Sequence, residues 1–245
     1  MKALLKIEWI KLWREWPMLI LAVGMPVGFF LFYSGMTMSP SPEVQKIFVR
    51  SYMLTMTAFS MSSFGFFSFP AMLFEDKKNH WLTYLEHANI SMSQYYLSKI
   101  IRVYFNFTFS ILATFLVAAF MRHVEMSFEK WFGTAILLLL TGIVFLAIGL
   151  LIAQIPSPQL MSIVGNVSFL LLAIIGGSWM PISTFPKWMQ AISKVTPTYH
   201  VNQVVTHFAD KGSILWNSLL IVISYAIIIV ILAIWIKQKK EVTTV

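Results

Sequence analysis

The chain is 245 residues long, 58% hydrophobic and only 11% charged, with a mean hydropathy of +0.75. A water-soluble fold of this size carries a charged skin of roughly a quarter of its residues, so the composition excludes one and marks a membrane protein. The absence of cysteine excludes disulfides and thiolate metal sites, and the +8 net charge gathers at the ends of apolar runs, where anionic lipid explains it without nucleic acid.

Met1 to Trp16 carries Lys2, Lys6, Lys11 and Arg14, while Leu5, Trp9, Leu12, Trp13 and Trp16 fall within one helical arc. This predicts an interfacial helix over 1–16, with tryptophans at the headgroup layer and bases on anionic lipid. The apolar run that follows is too long for a signal peptide and lacks a small-residue cleavage site. It is the first of six predicted spans, at about 17–36, 51–74, 100–121, 131–154, 159–179 and 214–236. In the first, Gly24 and Gly28 form a G-x-x-x-G around Pro26, which permits close helix approach within one subunit or between two. Ser39 to Gln45 reads as a turn-rich loop.

The second span interleaves hydroxyls with methionine and phenylalanine. Either the hydroxyls satisfy backbone carbonyls and neighbouring helices, or the face lines a path for amphipathic cargo. On the second reading Thr55, Met56, Phe59, Ser63 and Phe66, with Asn166 of the fifth span, are the candidate path residues.

Glu75 to Lys99 is the long polar excursion between the second and third spans. Trp81, Tyr84, Leu85 and Ala88 recur at helical spacing and would form a compact apolar ridge, with Lys77, Lys78, Glu86 and His87 around it. A helix here could grip a partner or rest on the membrane surface. After the third span a polar hairpin, Arg122 to Lys130, leads onward, and the Ile155–Pro158 turn divides the fourth span from the fifth. Gly176 to Asp210 is the second large non-spanning segment; Trp188, Ile192 and Val195 share a face of its piece Lys187–Val195, which should lie in or dip into the outer interface. The sixth span stops at Lys237, Lys239 and Lys240. With both termini cytoplasmic, 11 Lys and Arg lie inside and 7 outside, in the direction of the positive-inside rule.

No acid lies deep within a span, which argues against an ion-coupled carrier. The G-x-S-x-G, H-E-x-x-H and G-x-x-x-x-G-K-[ST] patterns are missing, so hydrolase chemistry and nucleotide binding by a P-loop are not expected. His80 and His87, like His200 and His207, are two turns apart, about 10 Å, too far for one metal.

Gly176-Gly177-Ser178-Trp179-Met180-Pro181, Phe185-Pro186, the amphipathic piece and Thr196-Pro197-Thr198-Tyr199 together form an outer block before the sixth span. With six spans, an interfacial N-terminal helix and Glu75-Asp76-Lys77-Lys78 opening the loop after the second span, the whole chain resembles the type-2 ATP-binding-cassette (ABC) exporter permeases. The Gly-Thr usual after the basic pair is Asn79-His80 here, and Ala88-Asn89 stands where a proline is often found.

The resemblance implies an all-α membrane protein, a single permease domain over 1–245 in the cell membrane, with no enzymatic activity or cofactor of its own. It also implies a coupling helix carrying Glu75, Lys77, Lys78, Trp81, Tyr84, Leu85, Glu86 and His87 toward a separate ATPase that binds ATP and magnesium, and a second permease copy or paralogue. Phe, Met, Ser and Thr in the spans suit export or flipping of an antibiotic, lipid or membrane-active peptide. A polysaccharide or wall-polymer exporter and a membrane immunity or sensor protein are the competing readings.

Overall fold

The computed structural model describes residues 1–37 and 41–243; Ser39 and Pro40 of the turn-rich loop, and the side chains of Glu86 and residues 241–243, lie outside the described set. Every regular element among the described residues is helical. In order they are α1 (Lys2–Arg14), α2 (Trp16–Ser34), α3 (Pro42–Ser63), a π-helical segment (Phe64–Ser68), α4 (Phe69–Lys78), α5 (Trp81–His87) and α6 (Met92–Arg122). Then come α7 (Phe128–Thr141), α8 (Ile143–Ile152), α9 (Pro158–Ile175), a 3-10 turn (Ile182–Thr184), α10 (Lys187–Ser193), α11 (Pro197–Lys211) and α12 (Trp216–Thr243).

Among the described residues, six helices are long and apolar enough to cross a membrane: Trp16–Ser34, Pro42–Lys78, Met92–Arg122, Phe128–Ile152, Pro158–Ile175 and Trp216–Lys240. Each overlaps one of the apolar runs in the sequence, and the second and third are much longer than a bilayer needs, at 37 and 31 residues. Their excess length projects the polar ends beyond the apolar layer.

Local chemistry sets the helix limits. Ser91, Ser157 and Thr196 accept from the backbone N–H groups of Gln94, Leu160 and Tyr199, capping α6, α9 and α11, and Pro158 and Pro197 occupy first-turn positions where no N–H is needed. His123 (φ 50°) and Gly212 (φ 72°) end α6 and α11 in the left-handed region.

The apolar core joins α3, the π segment and α8 to α2, α6, α11 and α12. The backbones of the π segment and α8 approach closely within it. A Cβ on Gly149 would stand 2.1 Å from Gly65 O, and one on Gly65 2.6 Å from Phe145 O. Gly165 of α9 faces Phe66 O at 3.2 Å on the same measure. By contrast, nothing among the described residues comes within 4 Å of a Cβ at Gly24 or Gly28, so the G-x-x-x-G glycines of the first span face open space in the subunit.

The bundle has two ends. At one, α1 lies against the start of α6, and Lys237 near the end of α12 sits 5.7 Å from the Tyr96 ring centre. At the other, α11 wedges among α3, α7 and α12. Arg50 grips Asp210 through Nε at 3.1 Å, and Lys130 donates to Asp210 O at 2.9 Å. Thr198 and Asn202 donate to Leu172 O (3.1 Å) and Gly176 O (3.0 Å), fastening α11 to the end of α9. His200 is buried against Ser218 Oγ at 3.1 Å, and burial lowers its pKa, favouring the neutral imidazole.

Replacing Gly149 by Ala should destabilise the detergent-solubilised protein by about 1–3 kcal/mol, because α8 must move off the π segment. Gly28→Ala should be neutral or stabilising in the isolated subunit, since only the glycine's chain entropy changes. Thermal unfolding of both variants checks the contrast, and equal effects would remove the Gly65–Gly149 contact as a packing constraint.

Candidate functional site

The site is built from residues at helical spacing on two segments far apart in sequence. On α1, Leu4, Glu8, Lys11 and Glu15 at its C-cap recur at intervals of four, three and four, and on α6 Tyr95, Lys99 and Arg102 at four and three. Each set lies along one helix face. The last turn of α4 adds Asp76.

These side chains close into one cluster. Lys99 Nζ lies 2.7 Å from Glu8 Oε1 and 2.5 Å from Asp76 Oδ2. Arg102 spans two acids, with Nη1 3.0 Å from Glu8 Oε2 and Nη2 2.5 Å from Glu15 Oε2. Lys11 Nζ stands 3.2 Å from Asp76 Oδ1, and the Tyr95 hydroxyl donates to Asp76 Oδ2 at 3.1 Å. Glu8, Asp76, Lys99 and Arg102 are only 4%, 4%, 1% and 3% exposed. Three carboxylates thus meet three bases and the cluster is formally neutral, which is the condition under which desolvation of its central members can be offset.

α5 rests on this cluster. Leu85 is buried with Leu4 of α1 and Tyr95 of α6, and Trp81 and Leu82 pack at the edge of that contact. Lys11 also lies 5.9 Å from the Trp81 ring centre, so α1 touches α5 as well as α6. Both ends of α5 turn sharply, at His80 and Asn89, each with φ 55°. Left-handed backbone is tolerated by Asn and His better than by most side chains, and here it stands where the family's Gly-Thr and proline are expected.

The sequence-predicted ridge is therefore divided. Leu85 faces inward, Trp81 is half-buried, and Tyr84 is 69% exposed. Glu75, Lys77, Lys78, His87 and Ala88 are also exposed, with His87 Nδ1 donating to Thr83 O at 2.7 Å, while the Glu86 side chain lies outside the described set.

The candidate path residues do not form an open channel in one subunit. Met56, Phe59 and Phe66 are buried, Thr55 and Ser63 half-buried, and Asn166 exposed. Thr55 and Ser63 donate to Tyr52 O (3.1 Å) and Ser60 O (2.7 Å), the backbone-satisfying reading of the span's hydroxyls. Phe59 stacks on Phe169 of α9 at 4.7 Å and meets Trp179 edge-on at 5.7 Å. Asn166 donates to Ser162 O at 2.8 Å on the exposed face of α9.

Residues 1–208 match the family described as ABC-2 type transporter. The chain belongs to that family. It is also 25% identical over 241 residues to "Putative transport permease YvfS" of Bacillus subtilis (strain 168), covering 98% of this chain and 95% of the relative. This ABC-2 protein is accordingly a multi-pass membrane permease subunit of an ABC transporter; it is not the catalytic subunit, and nucleotide binds to its partner ATPase.

What sequence reasoning missed in this permease is Glu8 and Glu15. Their spacing, and its match to Lys99 and Arg102, was the available signal: acids at helical intervals next to a membrane-crossing helix need partners.

Glu8→Ala and Lys99→Ala should each cost about 3 kcal/mol or more, since each leaves uncompensated buried charge. The double variant keeps the Arg102–Glu15 and Lys11–Asp76 pairs and should lose clearly less than the sum. Thermal unfolding of the four proteins measures the coupling, and strict additivity would mean that the cluster does not act as a unit.

Proposed function

We propose that this permease exports or flips a hydrophobic or amphipathic molecule across the cell membrane, with both termini cytoplasmic and α5 as the coupling helix on which the ATPase docks. The observation that carries the proposal is the seat of α5: a seven-residue helix, clamped from behind by Leu4, Tyr95 and the charge cluster, turns Thr83, Tyr84 and His87 outward. A surface held that rigidly delivers a push to α1, α4 and α6 together rather than absorbing it. The surplus of Lys and Arg at this end favours the cytoplasmic side for it. Closure of the ATPases on ATP then rocks the spans from inward to outward access.

The working unit contains a second permease, identical or paralogous, against α9. Only 17% of the most apolar stretch of α9 is buried, yet its exposed face carries Ser162 and Asn166 among Ile163, Val164 and Val167. An amide in that position is better satisfied by a neighbouring helix than by lipid. The exposed face of α1, with Trp9 and Trp13, and Trp16 at the start of α2 rest on lipid. Cargo passes beside α3 and α9, near Thr55, Met56, Phe59, Ser63, Phe66 and Asn166. The aromatic and methionine character of this surface favours a lipid-like molecule, antibiotic or membrane-active peptide over a glycan, whose hydroxyls need a continuous row of polar partners.

Tyr84→Ala should reduce recovery of the ATPase with the affinity-purified permease while leaving the permease's unfolding temperature unchanged, because Tyr84 is exposed. Leu85→Ala should lower that temperature, because Leu85 is buried. Full ATPase recovery with the Tyr84 variant, and with Thr83 and His87 also replaced, would remove α5 as the docking surface. Single cysteines are readily introduced into a chain that has none. A membrane-impermeant maleimide on intact cells should label position 190 and spare position 83, and the opposite pattern would reverse the orientation.

A further inference from the structure

The charge cluster takes up one side of α1 and leaves the other outward. Leu4, Glu8, Lys11 and Glu15 enter the cluster and its apolar edge, whereas Lys2, Lys6, Trp9 and Trp13, also at intervals of four, three and four, are exposed on the opposite side of the helix. Ile10 and Arg14 are exposed on the flank of this second stripe, and Trp16 extends it into α2. The two sides differ in charge. Glu8 and Glu15 are drawn inward by Lys99 and Arg102, while among the described residues no carboxylate pairs with Lys2, Lys6 or Arg14. The outward stripe and its flank thus carry three bases and no acid. The stripe is also graded along its axis: the lysines occupy the first half and the tryptophans the half that leads into the first span. Trp9 is braced edge-on by Trp13 at 6.1 Å and by Phe105 of α6 at 5.5 Å, and Phe105 is itself exposed, so the ring surface continues onto the side of the third span.

These features select an occupant. Indole rings suit the boundary between headgroups and acyl chains, where one edge is wet and the faces are apolar. A zwitterionic lipid would satisfy the rings but would leave three bases without net countercharge; an anionic headgroup supplies it. We infer that the outward stripe of α1 recognises anionic phospholipid, with Lys2, Lys6 and Arg14 meeting the charged headgroups and Trp9, Trp13 and Trp16 seated at the acyl boundary below them. The inference rests on the proposed placement of α1 against lipid and adds the charge of that lipid. It makes α1 a helix held from two sides: its inner stripe is locked to α4 and α6 by ion pairs, and its outer stripe is locked to the leaflet. The lipid therefore supports the helix on which α5 is seated.

Lipid-specific quenching tests this on the full chain. Ile10→Cys, at an exposed position beside the stripe, is labelled with bimane and placed in nanodiscs of equimolar phosphatidylglycerol and phosphatidylcholine, with a nitroxide on the acyl chain of one lipid or the other. The two quenching curves give the local lipid ratio, which should favour phosphatidylglycerol about fivefold, the gain that one base near an anionic surface confers. The same label at Leu112→Cys, on the exposed apolar side of α6 away from these bases, should report a ratio near unity. Replacing Lys2, Lys6 and Arg14 together by Gln should bring the ratio at position 10 to that of the control. So should about 1 M KCl on the protein with its bases intact, since the Debye length is then about 3 Å. Equal quenching by both lipids at position 10 would overturn the anionic preference while leaving α1 on lipid. Quenching by neither would remove α1 from the lipid surface and the inference with it. A preference that survives both the Gln substitutions and the salt would overturn the role of the three bases.

Discussion

Six charges drawn from three separate stretches of chain hold the α1 end of the bundle together. Glu8 can be buried because Lys99 and Arg102 meet both of its oxygens, and Asp76 because Lys11, Lys99 and Tyr95 do the same. Any one of these ions alone in apolar surroundings would cost several kcal/mol, so the helices that carry them must arrive together. That requirement lays α1 across the bundle's end with its polar stripe inward, which leaves Trp9, Trp13 and Trp16 on the outside. The tryptophan face and the acidic face are thus two consequences of one placement. α5, connected on either side to α4 and α6, inherits its position from the same constraint.

From this end, one continuous helical path leads toward the middle of the molecule. Asp76 and Phe59 belong to the same helical run, Pro42–Lys78, with the π segment between them. A π turn widens the backbone and is commonly found at functional positions rather than in uniform helices. Here it is pinned, because Gly65 and Gly149 let the two backbones touch and Gly165 brings α9 close on another side. Movement applied at Asp76 is therefore carried through a segment with little room to bend toward α8. The path to Phe59 is stiff in that direction.

Much of the architecture was legible because the bilayer imposes a simple demand. Twenty or so apolar residues with polar ends leave few alternatives, and the six apolar runs overlap the six long helices. The charge cluster was less legible because its partners are separated by up to 94 residues, as in Arg102 and Glu8. Sequence periodicity puts Glu8 and Glu15 on one face of α1 but does not say which helix that face meets. The short helix was visible as Trp81, Tyr84 and Leu85, whereas its orientation depends on contacts from Leu4 and Tyr95 that no local pattern encodes. The G-x-x-x-G signal pointed to Gly24 and Gly28, but within the subunit the backbones meet at Gly65 and Gly149, whose glycines lie in different spans and form no motif. Small residues reveal close approach only when the partner helix is known.

The same side-chain details constrain how a cargo could pass. The hydroxyls of Thr55, Thr57, Ser62 and Ser63 along α3 are turned back onto their own backbone, and that of Ser60 donates to Ala22 O of α2 at 3.0 Å and meets Ser110 Oγ of α6 at 2.9 Å. The rings of Phe59, Phe66 and Phe67 all meet Phe169. A polar route through one subunit would therefore require many satisfied groups to be released at once. Opening α9 away from α3 disturbs far less, because those contacts are chiefly aromatic and α9 is the least buried of the six long helices. The proposed passage beside α3 and α9 follows from that difference: the seam that opens is the one where aromatic contacts and the single close approach of Gly165 to Phe66 O, rather than buried charges, hold the helices together.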